Sequence, residues 1–214
     1  MSNEQLAALR KDYLLKEFDE SHLQADPFNQ FKLWFKEAIE VQVNEPNAMM
    51  LATSSTNGQP HARIVLLKGF DHEGAVFFTN YQSDKGQQIK ENNKVALTFF
   101  WPELERQIRI EGIAKEIHPE KSDEYFYSRP VGSQIGAHAS PQSKVIVNRK
   151  FLEDRVKEFE ELFSQQPLLR PEHWGGYVVK PLLFEFWQGR SSRLHDRFLF
   201  THISQGWQVE RLAP

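Results

Sequence analysis

The chain has 214 residues, 40% of them hydrophobic and 26% charged, which suits a globular protein of one domain or two small ones. Its 26 basic and 29 acidic residues leave a net charge of −3, so no strong field invites nucleic acid or an acidic membrane. It contains no cysteine, which excludes disulfides, thiolate nucleophiles, zinc–cysteine sites and iron–sulfur clusters.

Residues 1–25 are polar and charged, with a weak helical rhythm at Leu6, Leu9 and Tyr13, and read as a partly mobile arm ahead of a single domain over 26–214. The opening M-S-N-E-Q has no basic stretch followed by an apolar run, and no apolar run reaches membrane length, so a cytoplasmic protein is expected. Asp26-Pro27 predicts a helix start, with Asp as N-cap and Pro in the first turn. Phe28, Phe31, Phe35 and Ile39 then lay an aromatic stripe on a core, and Glu45-Pro46 ends the helix.

Short strands follow. A-M-M-L-A-T-S-S leads into Thr56-Asn57-Gly58, a tight hairpin turn. Across residues 61–81, H-A-R-I-V-L-L-K-G-F and A-V-F-F-T-N-Y flank D-H-E-G, which reads as a second hairpin. Arg63, Val65 and Leu67 share one strand face, and Ile64, Leu66 and Lys68 the other. Both faces are mostly apolar, which predicts a central strand buried on both sides. Ser83 caps a short helix to about Glu91. K-V-A-L-T-F-F-W and E-R-Q-I-R-I-E-G-I-A-K-E-I are further strands. In the second, Glu105, Gln107, Arg109 and Glu111 share a polar face while Ile108 and Ile110 turn inward.

A helix over 119–129 stops before Pro130 and carries Tyr125 and Arg129 on one face. R-P-V-G-S-Q-I-G-A-H-A-S-P-Q-S reads as a long Gly/Ser-rich loop. A helix over 148–163 turns Leu152, Val156, Phe159 and Phe163 inward. Y-V-V-K-P, L-L-F-E-F-W-Q-G, D-R-F-L-F-T-H and W-Q-V-E-R-L complete a mainly β chain with flanking helices, arranged as a barrel or sandwich.

Several chemistries lack their signatures. No two histidines stand four apart, and there is no H-E-x-x-H, so no metal site is expected. G-x-S-x-G and the P-loop pattern are absent, and G-S-Q-I-G lacks the strand–turn–helix setting of a dinucleotide site. Three cationic groups remain. Arg63 and Lys68 call for anionic partners such as a phosphorylated ligand, or else they reach solvent or pair with acids. Tyr125, Arg129 and Ser133 form a phosphate clamp, or a packed phenol and a helix-capping guanidinium. In an extended R-S-S-R-L-H-D-R, Arg193, His195 and Arg197 point one way and Leu194 and Asp196 the other. Either an anion sits among them or this is an edge strand with solvated arginines. Trp187 supplies a flat surface nearby, and Lys85 follows Ser83 near a helix start.

Read together, R-I-V-L-L-K, F-F-T-N-Y-x-S-x-K, E-R-Q, Y-F-x-S-R-P-x-x-S-Q-I-G-A, Q-S, F-W-Q-G and R-L-H-D-R-F…R-L-A-P occur in one order over nearly the whole chain. In this the sequence resembles the pyridoxine (pyridoxamine) 5′-phosphate oxidase family. The resemblance implies an FMN-binding split β-barrel, Greek-key-like, acting as a homodimer with FMN at the subunit interface. It implies oxidation of pyridoxine 5′-phosphate and pyridoxamine 5′-phosphate to pyridoxal 5′-phosphate. Hydride passes from C4′ to flavin N5, and O2 leaves as H2O2.

Carried onto this chain, FMN is expected among Arg63, Ile64, Val65, Leu66, Leu67, Lys68, Phe78, Thr79, Lys85, Gln107, Gln142, Ser143, Trp187 and Arg197. Substrate is expected at Arg10, Lys11, Asp12, Tyr13, Lys68, Tyr125, Arg129, Ser133, Arg193, Leu194 and His195. Arg193 and His195 are the expected catalytic pair. Two departures stand out. Asp84 takes a position that is often basic or at least not acidic in the family, so it is expected to turn outward and leave the phosphate to Lys85 and Arg63. Asp19-Glu20-Ser21 is more acidic than the arm of some relatives, which puts any product-binding regulatory site there in doubt.

Overall fold

The computed structural model describes residues 1–9 and 11–214. Its strands are β1 (Ala48–Ser54), β2 (Pro60–Leu66), β3 (Gly69–Asp71), β4 (Gly74–Asn80), β5 (Lys94–Trp101), β6 (Arg106–Glu116), β7 (Trp174–Gln188), β8 (Asp196–Ile203) and β9 (Gly206–Arg211). Its helices are α1 (Asn3–Ala7), α2 (Pro27–Glu40), α3 (Asp84–Glu91), α4 (Pro119–Ser128), α5 (Val131–Ala139) and α6 (Arg149–Gln165). The strands hydrogen-bond in the order β2-β1-β5-β6-β7-β4-β3, with β8 on β7 and β9 on β8. The chain falls into two compact units: Met1–Met50, Ala96–Glu111 and Pro181–Pro214 form one, Leu51–Val95 and Gly112–Lys180 the other.

In the first unit, Asp26 caps α2 by accepting a hydrogen bond from the Phe28 N–H at 2.8 Å. The buried face of α2 is Phe28, Phe31, Trp34 and Ala38, while Ile39 is 55% exposed. The stripe is therefore rotated from the one predicted, because Trp34 and Ala38 complete the 3.6-residue face and Ile39 lies one step off it. The helix also ends before Glu45-Pro46: Gln42 adopts φ 56°, and the Val43 N–H turns back to the Ala38 carbonyl at 2.9 Å. Trp34 packs against Phe18 and Phe186, with ring centroids 4.8 and 5.3 Å apart. Each such ring contributes about 2 kcal/mol by leaving water.

Ile108 and Ile110 are buried as predicted. Glu105 is not on the polar face. It precedes β6 at φ 54° and is 2% exposed. There it meets the Lys11 ammonium at 3.5 Å and accepts the Leu15 N–H at 3.1 Å.

In the second unit, the hairpin over 61–81 is narrower than predicted. Only β3 and β4 form it, pairing Gly69 with Val76 and Asp71 with Gly74. Gly74 has φ 138°, and a Cβ there would lie 2.1 Å from the Val179 carbonyl oxygen, so only glycine fits. Strand β2 stands at the end of the order, not in its centre, and Ile64 is 62% exposed. Its second apolar face lines a cavity instead of the core, a distinction that strand periodicity cannot make.

The predicted Gly/Ser-rich loop contains α5. Pro130 starts it, its carbonyl accepting from the Ser133 and Gln134 N–H groups at 2.8 and 3.1 Å. Buried Gln134, Ile135 and Ala139 hold it down. Asn148 caps α6 through the Phe151 N–H, and Leu152, Val156, Phe159 and Phe163 are half-buried. The two predicted strands around Lys180-Pro181 are one. Strand β7 pairs with β4 over residues 174–179 and with β8 over 183–188, so the proline, which lacks an N–H, sits where the partner changes.

Candidate functional site

A cavity of about 490 Å³ opens in the second unit. Strand β2 supplies Ile64, Val65 and Leu66, the following turn supplies Lys68, and β4 supplies Phe78 and Thr79. Lys85 comes from α3, Tyr125 and Arg129 from the end of α4, Ser133 from the first turn of α5, and Gln142 from beyond α5. Among the described residues three cations line it, and no carboxylate does. A space built that way attracts an anion.

At one end the Lys85 ammonium bonds Gln142 Oε1 at 3.2 Å, Thr79 Oγ1 at 3.3 Å and Ser83 Oγ at 3.4 Å. Burial pushes its pKa down, as does nearby Arg63, against the opposing charge of Asp84. Asp84 itself is exposed in the first turn of α3, as expected. Arg63 is engaged by the Leu51 carbonyl (3.2 Å), the Thr53 hydroxyl (2.6 Å) and Gln88 (3.1 Å), and it does not line the cavity.

At the other end Tyr125 stacks on Phe78, with ring centroids 3.9 Å apart, and Phe78 lies nearly parallel to Trp174 at 5.5 Å. The Arg129 guanidinium lies over Trp174 at 4.6 Å. Its Nη1 is buried and finds no hydrogen-bond acceptor among the described residues. An orphaned cationic donor beside a carboxylate-free cavity is costly unless an anion completes it.

A second cavity, of about 560 Å³, lies in the first unit and brings together Lys11, Asp12, Tyr13, Arg193 and His195, with Leu9, Arg190 and Ser192. The segment before β8 is not extended as predicted. Ser192 and Arg193 take φ 55° and 61°, and the Leu194 N–H turns back to the Ser191 carbonyl at 3.1 Å, so the alternation of Arg193, His195 and Arg197 breaks. His195 lies against Trp187, ring centroids 4.6 Å apart, and Tyr13 meets both rings edge-on at 5.7 and 5.9 Å. Tyr13 sits so close to the bare backbone of Gly189 that a Cβ there would be 2.7 Å from its Cγ. The His195 pKa is lowered by burial and by Arg193 and Arg197, against Asp196.

The remaining expected residues line neither cavity. Leu67 is buried, Gln107 is half-buried on β6, and Ser143 and Leu194 are exposed. Trp187 acts through its ring contacts, and Arg197 is held by Glu185 and the Ala213 carbonyl. Arg10 lies outside the described residues. The sequence reading missed Ser140 and Trp174 in the first cavity, which belong to no local pattern that marks a site, and it passed over Asn80 and Arg190 although both stand inside stretches it singled out, F-F-T-N-Y and R-S-S-R-L-H-D-R. Among the described residues no cluster of three His, Asp or Glu side chains could hold a metal, and no helix is long and apolar enough to cross a membrane.

Comparison with known proteins gives a consistent match. Residues 35–163 match the family described as pyridoxamine 5′-phosphate oxidase, and residues 174–214 match the pyridoxine 5′-phosphate oxidase C-terminal dimerisation region. The chain is 56% identical to a pyridoxine/pyridoxamine 5′-phosphate oxidase of Paraburkholderia phymatum over 98% of its own length and 99% of the relative's. It is 52% identical to one from Trichormus variabilis, over 98% of each chain. Among solved structures it is similar to PhzG of Burkholderia lata in complex with tetrahydrophenazine-1-carboxylic acid (TM-score 0.87, 30% identity, 93% of this chain and 98% of that one). It shares its fold with a pyridoxamine 5′-phosphate oxidase-related, FMN binding protein of Nostoc punctiforme (TM-score 0.70, 17% identity, 90% of this chain and 100% of that one).

Proposed function

The chain belongs to the pyridoxine/pyridoxamine 5′-phosphate oxidase family, an oxidoreductase family with a split β-barrel fold, and we propose that it oxidises both 5′-phosphates to pyridoxal 5′-phosphate with FMN. When bound, FMN supplies the redox chemistry, accepting a hydride from C4′ and passing the electrons to O2, which leaves as H2O2. The match of residues 174–214 to a dimerisation region supports a homodimer, which we read as holding FMN at its interface.

The chain's own residues bind and orient. Lys85, with Thr79 and Gln142 around it, holds the cofactor phosphate, and Arg63 adds positive charge nearby. Ile64, Val65, Leu66 and Phe78 give a flat ring an apolar surface. Arg129, Lys68, Ser133 and the Tyr125 hydroxyl clamp the substrate phosphate. Fixing that end positions C4′ for transfer. Arg193 covers the pyridine ring and stabilises charge that develops as the hydride leaves. Lys11, Asp12 and Tyr13 close over it.

The observation that carries this reading is the orphaned Arg129 Nη1 in a cavity that two further cations, Lys68 and Lys85, line and that, among the described residues, no acid lines. The purified protein, supplied with FMN, should be yellow, bleach on anaerobic addition of pyridoxamine 5′-phosphate, and release peroxide when air returns. A flavin that stays oxidised under substrate refutes the assignment.

A further inference from the structure

The turn ahead of β6 holds Glu105 in a conformation that glutamate does not favour. Its φ of 54° lies in the left-handed region, where glycine would sit without strain. A glutamate kept there points to work for its side chain. That side chain is 3% exposed, and among the described residues its carboxylate meets two partners. Both come from the N-terminal arm. The Lys11 ammonium lies 3.5 Å from Oε1, and the Leu15 N–H donates to Oε2 at 3.1 Å. A buried carboxylate without such partners is costly, so the anion and the arm hold each other.

Tyr13 stands midway between the two anchored residues, at most about 7 Å of chain from either. Its ring meets Trp187 and His195 edge-on and walls the cavity that Arg193 lines. Behind the ring, the Glu105 carbonyl accepts the Gly189 N–H at 2.7 Å, and Gly189 is the residue whose bare backbone admits Tyr13. Glu105 thus fixes the phenol twice, through the arm that carries it and through the seat that receives it. Gln188, wholly buried, locks the turn. Its Nε2 donates to the Leu104 and Glu105 carbonyls at 3.1 and 3.3 Å, and its Oε1 accepts from Arg106 Nε at 2.8 Å.

We propose that Glu105 is a positioning residue for the oxidation: it anchors the arm so that Tyr13 closes the cavity of Arg193 and His195, and it tightens substrate binding without touching substrate. This rests on the oxidase reading above. Losing the anchor raises the substrate concentration needed for saturation. It leaves the hydride step and FMN affinity close to their parent values, because Glu105 lines neither cavity.

Glycine suits φ 54°, so Glu105→Gly removes the carboxylate without straining the turn. Hydrogen exchange of the FMN-loaded protein, read by mass spectrometry, tests the anchor. Peptides covering residues 11–18 should exchange at least about tenfold faster in the variant, the factor a hydrogen bond to a charged group is worth. Peptides from β5, β6 and β7 should keep the parent rate. Faster exchange throughout the chain marks general destabilisation and overturns the proposal, as does an unchanged arm. In anaerobic rapid mixing with pyridoxamine 5′-phosphate, half-saturation should move up about tenfold while the limiting rate of flavin reduction stays within about threefold. The opposite split overturns the proposal. Tyr13→Ala should show the same shift, and adding Glu105→Gly to it should bring no more. Effects that multiply place Glu105 outside the path through Tyr13 and overturn it too. If Glu105→Gly does not fold, the parent protein still decides. Its Leu15 amide should be protected in exchange followed by NMR, and exchange at the unfolded rate overturns the proposal. A parent protein that never reduces its flavin fails the oxidase reading, whereas an active one whose variant keeps the parent arm exchange fails only this inference.

Discussion

Arg197 is tied to Glu185 through two donors on one carboxylate oxygen, Nε at 2.9 Å and Nη2 at 2.8 Å. Arg109 takes the other oxygen at 2.7 Å. The Glu185 side chain is only 4% exposed, so it is a buried anion shared by guanidiniums from β6 and β8. Most of the donor capacity of Arg197 is therefore spent inside the protein, and its orientation is set before any ligand arrives.

Glu185→Gln removes that anion and leaves two guanidiniums facing each other. Breaking a buried pair on one side costs about 3–5 kcal/mol. The partial exposure of both arginines reduces this to roughly 2 kcal/mol. Urea unfolding should show a lower midpoint with an unchanged slope. A midpoint equal to that of the parent protein refutes the clamp.

Arg129→Met tests the substrate-phosphate clamp. A charged hydrogen bond is worth about 1.5–3 kcal/mol, so KM for pyridoxamine 5′-phosphate should rise about 10–100-fold while kcat changes little. Stability of the unliganded protein should hold or increase, because the orphaned Nη1 is gone. An unchanged KM removes Arg129 from the clamp.

Lys85 gives cofactor binding a pH dependence. Its pKa is lowered from the usual 10.5 by burial and by Arg63. The cation that grips phosphate is therefore lost at a lower pH than on a free lysine, and affinity falls as pH rises through that point. Flavin fluorescence should follow the release. Lys85→Arg keeps its charge over this range and should abolish the alkaline loss. Identical alkaline profiles for the two proteins count against Lys85 as the phosphate ligand.

Arg193→Ala should lose most turnover while retaining FMN, because Arg193 lines the cavity of the first unit and not the one that holds Lys85. Stopped-flow flavin reduction near the parent rate would remove Arg193 from the chemistry.

Local chemistry was legible wherever a short-range rule governs it. Asp26 and Ser83 each cap the helix predicted from them, because a side-chain oxygen one turn from free N–H groups acts without tertiary help. The placement of β2 was not legible, since alternation shows that Ile64 and Leu66 share an apolar face but not whether it meets core or cavity. The helix α5 was hidden by its glycines and serines, whose low propensity is overridden by the buried Ile135 and Ala139. The turn at Ser192 and Arg193 carries no compositional cue, because neither residue favours positive φ. Motif order supplied most members of both cavities. It did not reveal the tie between Glu185 and Arg197, which depends on the register of β7 against β8.

The seat of Tyr13 at Gly189 gives the second cavity a control point that touches no ligand. Since even one methyl group there would collide with the phenol ring, alanine at position 189 would evict the tyrosine and strip the imidazole of one wall. Activity at this site can thus be tuned from the backbone behind it, by a change of a single carbon atom.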